Sequence, residues 1–290
     1  MKKLVYLVST ALLLCTMLVG LCACGGNDKA ANNNNAGNQE QGKVLRVGME
    51  CGYAPYNWTQ NDDSNGAVPI VDSNNYANGY DVMMAKYLAD KLGYELQIHK
   101  IDWDSLPVAV QSGTIDCVIA GQSITAERLQ TVDFTTPYYY ASIIAVTRDD
   151  TPYASATSVA ELAGAKCTSQ MNTVWYDVML PQIPDAVIQP AMESAPLMLV
   201  SLDSGAVDLV VTDQPTAMAA ALVYPNFVLL DMADGQDFEA SSEDINIGIS
   251  LKKGNTELLD KLNEALATLT EQDFTDMMNQ AIAIQPLTNE

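Results

Sequence analysis

Two distant stretches of the chain share one pattern, and this repeat limits the possible folds more than any other feature of the sequence. Residues 112–119 (SGTIDCVI) match residues 204–211 (SGAVDLVV) position for position. In each copy the glycine suits the end of a helix, and the apolar run after the aspartate suits a strand buried on both faces. The repeat predicts two similar α/β lobes, although chance similarity between two ordinary helix-turn-strand units stays an alternative.

The rest of the chain alternates short β-branched runs with amphipathic stretches, which is typical of mostly parallel sheets flanked by helices. Open parallel sheets bind ligands beyond the carboxyl ends of their strands. After the first repeat those ends are Ala120, Gly121 and Ser123, and after the second they are Thr212 and Asp213. We therefore expect a ligand site where the two lobes face each other.

The N-terminus has the pattern of a secretory signal peptide, predicted to cover residues 1–23. Lys2 and Lys3 precede an apolar run that ends in LCAC, residues 21–24. A small residue in front of Cys24 predicts cleavage there and acylation of the Cys24 thiol, with more than one acyl chain for firm anchoring. A retained transmembrane anchor is the alternative, because the apolar run is about long enough to span a bilayer.

Residues 24–43 are rich in Asn, Gln, Gly and Ala and predict a flexible tether. We therefore expect a protein held by lipid on the outer face of the cell membrane, extracellular in a Gram-positive bacterium and periplasmic otherwise. The formal net charge is −22, so nucleic acid is not expected as a partner, because its phosphates would be repelled.

The remaining cysteines and the single histidine predict neither a disulfide framework nor a metal site. Cys51, Cys117 and Cys167 form an odd, scattered trio. Cys117 and Cys167 lie in short apolar runs and are predicted to be small core residues. His99 has no neighbouring cluster of ligand residues, so no metal or other cofactor is expected.

Six short segments follow one another in an order and spacing that are specific only when taken together. They are residues 45–56 (LRVGMECGYAPY), 79–82 (GYDV), 101–106 (IDWDSL), 112–116 (SGTID), 124–128 (ITAER) and 132–139 (VDFTTPYY). In this arrangement the chain resembles the family 3 (polar amino acid) solute-binding proteins of ABC transporters. The resemblance covers almost everything from residue 44 to residue 284.

The resemblance implies an α/β fold of the type II periplasmic-binding-protein kind. Two parallel or mixed sheets flanked by helices would form two lobes joined by two hinge strands. Lobe 1 would hold residues 44–146 and 247–290, and lobe 2 would hold residues 150–230. The hinges would lie in residues 147–149 and 231–246. A ligand that contacts both lobes would then favour the closed form of a hinge motion.

The resemblance also implies how the ligand carboxylate is bound. Arg128 matches the carboxylate clamp of the family, and a planar guanidinium binds a carboxylate through two charge-assisted hydrogen bonds. A surface arginine paired with Glu127 or Asp133 is the alternative. Thr173 falls where the family supplies a hydroxyl to the same carboxylate, although Asn172 stands where glycine is commoner.

For the rest of the ligand backbone, Asp213 matches the acidic residue that takes the α-ammonium in the family. The alternative is a helix cap in front of Pro215. By the same resemblance, Ala120, Gly121 and Ser123 would offer backbone groups and one hydroxyl to the two ends of the ligand backbone.

For the ligand side chain, Tyr53 and Trp103 match two aromatic walls, with simple core filling as the alternative for Trp103. Glu50 aligns with an acidic position that contacts the distal nitrogen of basic or amide side chains in relatives, and Gln170 is a polar partner beside it. Arginine or lysine is therefore favoured over glutamine, and acidic amino acids are disfavoured. A polar insertion at residues 58–78 departs from the family pattern and is predicted to form a surface flap near the cleft.

The resemblance implies a monomeric binding protein whose partners are a free L-amino acid and the permease subunits of an ABC importer, with no catalytic residue. Three alternatives remain. A cyclohexadienyl dehydratase-like enzyme would have only Glu50 and Asp213 as obvious acid–base groups. A sensor ectodomain would need membrane-spanning segments past residue 21, where no apolar stretch is long enough. An adhesin leaves no sequence signature.

Overall fold

The computed structural model describes residues 43–286. The predicted signal peptide, the predicted lipid site Cys24 and almost all of the predicted tether lie outside the described residues. Within residues 43–286, no helix is long and apolar enough to cross a membrane. Over the same range, no group of three or more His, Cys, Asp or Glu side chains is arranged to hold a metal ion.

The strands are short and are numbered along the chain. They are β1 (Val44–Met49), β2 (Gly52–Tyr53), β3 (Asn57–Gln60), β4 (Val68–Pro69), β5 (Tyr76–Asn78), β6 (Glu95–Lys100), β7 (Cys117–Val118), β8 (Val132–Phe134), β9 (Tyr139–Tyr140), β10 (Ile143–Arg148), β11 (Lys166–Thr168), β12 (Val187–Ile188), β13 (Leu209–Asp213), β14 (Phe227–Leu229), β15 (Asn246–Ile247) and β16 (Ser250–Lys252).

The α-helices alternate with these strands and cover the sheets. They are α1 (Tyr80–Leu92), α2 (Leu106–Ser112), α3 (Ala195–Asp203), α4 (Gln214–Val223), α5 (Ser242–Ile245), α6 (Thr256–Leu266) and α7 (Glu271–Ile284).

The two large sheets are built on the same plan. Their strand orders are β6-β1-β7-β16-β8 and β12-β11-β13-β10-β14. In each sheet the first three strands run parallel, and the fourth is antiparallel to both of its neighbours. The two copies of the sequence repeat supply the central strands, β7 and β13. The predicted two-lobe α/β fold is therefore confirmed.

The local chemistry of the repeat explains why both copies fold alike. Gly113 (φ 81°) follows α2, and Gly205 (φ 73°) lies just beyond α3. Both adopt the left-handed conformation that glycine reaches without strain and that commonly ends a helix. The apolar strands that follow are buried on both faces, as their uninterrupted hydrophobic sequences predict.

The chain crosses between the two sheets along a pair of short antiparallel strands. The outward crossing is β9 and the return crossing is β15, with Tyr140 opposite Asn246 and Tyr139 opposite Ile247. Each crossing strand stabilises the other, so the two lobes are joined by a narrow two-stranded ribbon at this point.

The predicted position of the outward crossing, residues 147–149, is wrong. Thr147 lies inside the second sheet, where it pairs with Leu209 on one side and Val228 on the other. All of β10 therefore belongs to lobe 2, and the first segment of lobe 1 ends several residues before residue 146. The apolar run of β10 predicts a strand, but nothing in its own sequence indicates which sheet it joins.

The polar insertion, residues 58–78, is more ordered than the predicted flap. It forms most of a small antiparallel sheet with the strand order β2-β3-β5-β4. Its far end reaches the edge strand of the first sheet, where Ile70 forms a parallel bridge with Ile98 and Val71 donates its backbone N–H to the Ile98 carbonyl at 2.9 Å. The insertion therefore covers part of the edge of lobe 1.

Candidate functional site

A small cavity lies between the two lobes, at the carboxyl ends of the central parallel strands. It measures about 10 Å³, roughly the space of one water molecule. Nine residues line it, and all but Trp175 are predicted site residues: Glu50, Tyr53, Trp103, Gly121, Ser123, Arg128, Gln170, Thr173 and Trp175. A free amino acid can enter only if the lobes separate or these side chains move.

Arg128 connects the two lobes. Its backbone N–H donates to Thr125 Oγ1 at 3.2 Å, which fixes the short helical turn that it begins. Its guanidinium donates to the carbonyl of Ser123 in lobe 1 at 2.9 Å and to the carbonyl of Asn172 in lobe 2 at 2.7 Å. It also lies 5.5 Å from the centre of the Trp103 ring, within cation–π range.

The guanidinium has no carboxylate within ion-pair distance in the part of the chain that the structure describes. The alternative partner Asp133 instead pairs with Lys253 at 3.2 Å. Burial lowers the pKa of Arg128 to about 10, which still leaves the side chain charged at neutral pH. Arg128 is thus a half-buried cation that only neutral groups contact.

Asp213 ends the central strand of lobe 2 and is wholly buried. It caps α4, as the alternative prediction stated, because its side chain accepts hydrogen bonds from the backbone N–H and the hydroxyl of Thr216, at 3.0 and 2.9 Å. Its carboxylate also accepts a hydrogen bond from the hydroxyl of Tyr53, which belongs to lobe 1. Burial raises the pKa of Asp213, although these hydrogen bonds oppose the rise.

The two predicted aromatic walls both make contacts across the cleft. The hydroxyl of Tyr53 donates to Asp213 of lobe 2, and its ring stacks on Tyr56 of lobe 1 with centroids 4.8 Å apart. The indole N–H of Trp103 donates to the carbonyl of Met171 in lobe 2 at 3.1 Å. Trp103 is therefore more than core filling, because it contacts the opposite lobe and lines the cavity.

Trp175 is a lining residue that the sequence reasoning missed. Its ring centre lies 6.1 Å from that of Tyr53. The sequence of residues 173–180 predicts a helix, in which an aromatic side chain most simply fills the core. The structure has instead a single π-helical turn, Trp175–Met179. Its position two residues after Thr173 was the only feature of the sequence that indicated a place in the cavity lining.

Glu50 and Gln170 meet at one end of the cavity. The Gln170 amide donates to both carboxylate oxygens of Glu50 at 3.3 Å. Burial, with smaller contributions from the nearby carboxylates of Asp102 and Asp104, raises the pKa of Glu50 to about 7, although Gln170 and Lys100 oppose the rise. This end of the cavity is therefore polar, and above pH 7 it carries the negative charge of Glu50.

Gly121 and Ala120 were both predicted to offer backbone groups to the ligand, but only Gly121 lines the cavity. Gly121 lines the cavity with φ 61°, and a Cβ there would lie 2.8 Å from Cε1 of Tyr53. Glycine is thus required both by the left-handed backbone and by the close approach of the ring. Ala120 is buried behind it and does not line the cavity.

The two predicted hydroxyls are bonded to neighbouring backbone. Ser123 Oγ donates to the carbonyl of Asp244 at 3.3 Å, beside the return crossing. Thr173 Oγ1 donates to the carbonyl of Gln170 at 2.7 Å. Asn172 adopts φ 56°, the conformation for which glycine is preferred and asparagine is among the best substitutes. The replacement of glycine there therefore preserves the loop that carries Thr173.

Comparison with known proteins agrees with this geometry. The family model of bacterial extracellular solute-binding proteins, family 3, matches residues 45–281. The chain belongs to this family. The match spans both lobes and both crossings, so the family 3 assignment covers all of the fold that forms the cleft.

Relatives within family 3 are amino-acid-binding proteins by name. The chain is 27% identical over 270 residues to a probable histidine-binding protein of Neisseria gonorrhoeae, covering 92% of this chain and 91% of that one. It is 28% identical over 199 residues to ABC transporter arginine-binding protein 1 of Escherichia coli K12, covering 69% and 79%. Among solved structures, an ancestral arginine-binding protein bound to arginine matches with 30% identity and a TM-score of 0.65, covering 82% and 97%.

Proposed function

We propose that this protein binds a free amino acid between its two lobes and delivers it to an ABC importer. The observation that carries the proposal is a charge arrangement. Arg128 in lobe 1, which is half-buried, and Asp213 in lobe 2, which is wholly buried, are opposite charges that have no charged partner in the described residues. Tyr53 connects them, because it lines the same cavity as Arg128 and donates to Asp213.

A zwitterion would neutralise both groups at once. Its carboxylate would replace the carbonyl oxygens that Arg128 now contacts, and its ammonium would replace the Tyr53 hydroxyl at Asp213. A ligand that contacts both lobes stabilises the closed form by the difference in its affinity for the two forms. The two-stranded ribbon of β9 and β15 provides the hinge for that motion.

The ligand side chain would extend toward Glu50 and Gln170 between the aromatic rings. A guanidinium or ammonium group there would restore the charge of Glu50 and hold its pKa lower than in the free protein. Arg128 is the only cationic side chain among the nine lining residues, so an acidic ligand side chain would find no second cation. The arginine- and histidine-binding relatives support a basic ligand.

A thermal-shift screen of the mature protein against the twenty amino acids tests the proposal. A ligand at 100 times its dissociation constant stabilises by about 2.7 kcal/mol. For a chain of this size that corresponds to a rise of about 5–10 °C in melting temperature. Arginine or lysine is expected to give the largest shift, glutamine a smaller one and glutamate none. The absence of a shift with all twenty would contradict amino-acid binding.

Glu50→Gln is expected to weaken arginine binding by about 100-fold, because a buried charge pair loses one partner, and to leave glutamine binding nearly unchanged. In the wild type, arginine affinity should rise as pH increases toward 7 and level off above it, since Glu50 must lose its proton to pair with a cation. Glutamine affinity should not follow that curve. Titration calorimetry from pH 5 to 8.5 measures both.

Asp104→Asn is the matched control, because Asp104 lies near Glu50 but is exposed. It should change arginine affinity only slightly. Equal losses for the two variants would mean that the general negative charge of the region, and not contact with Glu50, attracts the ligand.

We propose further that the protein is a lipoprotein anchored at Cys24 on the outer face of the membrane. Cys24→Ala is expected to release the protein from the membrane fraction, whereas Cys51→Ala, which changes a buried cysteine of the fold, should not. Mass spectrometry of the mature N-terminus would show the acyl chains directly. Retention of the Cys24→Ala variant in the membrane would indicate an uncleaved anchor instead.

One observation favours an enzyme as the second candidate. Glu50 has a pKa of about 7, which suits a general acid or base at neutral pH. Incubation of the purified protein with prephenate and arogenate, followed by chromatography of the products, separates the two candidates. The binding function predicts no turnover of either compound.

A further inference from the structure

The segment GYDV, residues 79–82, contributes to the family resemblance, yet none of its side chains lines the cavity. Its aspartate, Asp81, is wholly buried in the first turn of α1. Gly79 (φ 124°) lets this helix begin in close contact with the preceding chain, since a Cβ there would lie 2.4 Å from the carbonyl oxygen of Tyr56. The start of α1 is thus packed against the segment that follows Tyr53.

The carboxylate of Asp81 is held by two neutral donors. Oδ1 accepts a hydrogen bond from the hydroxyl of Tyr138 at 2.7 Å, and Oδ2 accepts one from the side-chain amide of Asn57 at 2.8 Å. No cationic side chain of residues 43–286 forms an ion pair with it. A buried carboxylate without a cation is costly, and burial raises the pKa of Asp81 to about 6. Packing alone does not explain its presence.

Asn57 and Tyr138 each also accept a hydrogen bond from the backbone of a loop that forms the ligand site. The side-chain oxygen of Asn57 accepts from the N–H of Cys51 at 2.7 Å, and the hydroxyl of Tyr138 accepts from the N–H of Gly121 at 3.1 Å. Cys51 directly follows the acidic residue of the cavity, and Gly121 lines the cavity. Asp81 is therefore linked to each of these two site loops of lobe 1 through a chain of two hydrogen bonds.

The two amides held in this way belong to residues with left-handed backbone conformations. Cys51 has φ 53° and Gly121 has φ 61°. A non-glycine residue in this region costs of order 1–3 kcal/mol and persists only where its surroundings enforce it. A hydrogen bond to each amide supplies that enforcement. Without it, the loop at Cys51 in particular would relax toward a commoner conformation.

We propose that Asp81 is a positioning residue for the ligand site, which acts through Asn57 and Tyr138 to hold the turns at Cys51 and Gly121 in their binding geometry. Asp81 itself contacts no ligand. A site whose loops are already ordered loses less entropy when it binds, so its affinity is higher. For its binding readout this inference rests on the proposed function.

Asp81→Asn tests the relay with almost no change in shape. The new amide directs its N–H either at the Asn57 amide, where two donors meet, or at the Tyr138 hydroxyl, which must then accept and loses the acceptor for its own proton, so one arm is disrupted in either orientation. We expect a 10- to 100-fold loss of ligand affinity, by analogy with the loss caused by removing groups that orient the ligands of a metal ion. Backbone amide exchange, followed by NMR, should become faster at Cys51 or Gly121.

Leu88→Ala is the control for general loss of stability. Leu88 is wholly buried two turns further along α1, and its truncation costs about 2–5 kcal/mol of folding free energy. It should lower the melting temperature while leaving ligand affinity within about two-fold of wild type. Affinity that falls no further in Asp81→Asn than in Leu88→Ala would overturn the proposal.

Tyr138→Phe removes a single hydroxyl and serves as the second test if Asp81→Asn does not fold. It should speed exchange at the Gly121 amide and leave Cys51 protected, whereas unchanged exchange at Gly121 would overturn the relay. The exchange measurement needs no ligand. If wild-type protein binds none of the amino acids, the proposed function fails, and the relay is still decided by the amide exchange.

Discussion

Arg128→Ala should abolish amino-acid binding, with an affinity loss of about two to three orders of magnitude. The guanidinium is the single lining group that can neutralise a ligand carboxylate, and truncating one member of a buried charge pair costs about 2–5 kcal/mol. The substitution also removes the hydrogen bond to the carbonyl of Asn172, which joins the lobes. Titration calorimetry with arginine at pH 7.5 measures the loss.

Arg148→Ala is a closely matched control. Arg148 also donates to two backbone carbonyls, those of Leu202 and Val207, but both belong to lobe 2 and lie away from the cleft. The control removes the same charge and the same number of carbonyl contacts, together with an ion pair to the exposed Asp150. It should lower the melting temperature without changing ligand affinity. Similar affinity losses in the two variants would show that Arg128 matters only for stability.

Asp213→Asn should reduce affinity by a similar factor, because the ligand α-ammonium would lose the carboxylate that we propose binds it. Asparagine keeps the shape and still caps the helix, since its oxygen can accept the hydrogen bond of the Thr216 backbone. Asparagine is therefore preferred to alanine, which would also remove the cap at a cost of about 1 kcal/mol. The ligand-free melting temperature should change little.

Asp208→Asn is the control, because it neutralises a carboxylate at the other end of the same strand. Asp208 precedes β13 at the end away from the cleft and accepts a hydrogen bond from the backbone N–H of Lys166 at 2.9 Å. It should leave affinity unchanged. Wild-type affinity in Asp213→Asn would mean that the ammonium is bound elsewhere, and the proposed orientation of the ligand would then be wrong.

The fold could be predicted from the sequence because its signals are local. The repeat at residues 112–119 and 204–211 places a glycine after a helix and an apolar strand behind it, and short-range chemistry fixes both. The outward crossing could not be placed in this way. Whether β10 joins the first or the second sheet depends on its distant partners β13 and β14.

Gly121 and Ser123 of the cavity lining were predictable for a related reason, since parallel strands bring their carboxyl ends to one edge of a sheet. The other predicted lining residues followed from the family resemblance. The contacts made by the lining residues could not be predicted from the sequence. The bond from Tyr53 to Asp213 joins residues 160 positions apart, and it depends on how the lobes meet. The motif at residues 79–82 was recognised, but the relay through Asp81 depends on side chains brought together only by the folded chain.

The insertion at residues 58–78 affects how copies of the protein behave toward one another. An uncovered outer strand exposes unpaired N–H and C=O groups, which invite the same strand of a neighbouring molecule to add on. By bonding to Ile98 with Ile70 and Val71, the insertion blocks that addition at the margin of lobe 1. The covered margin thus disfavours this route of association between copies.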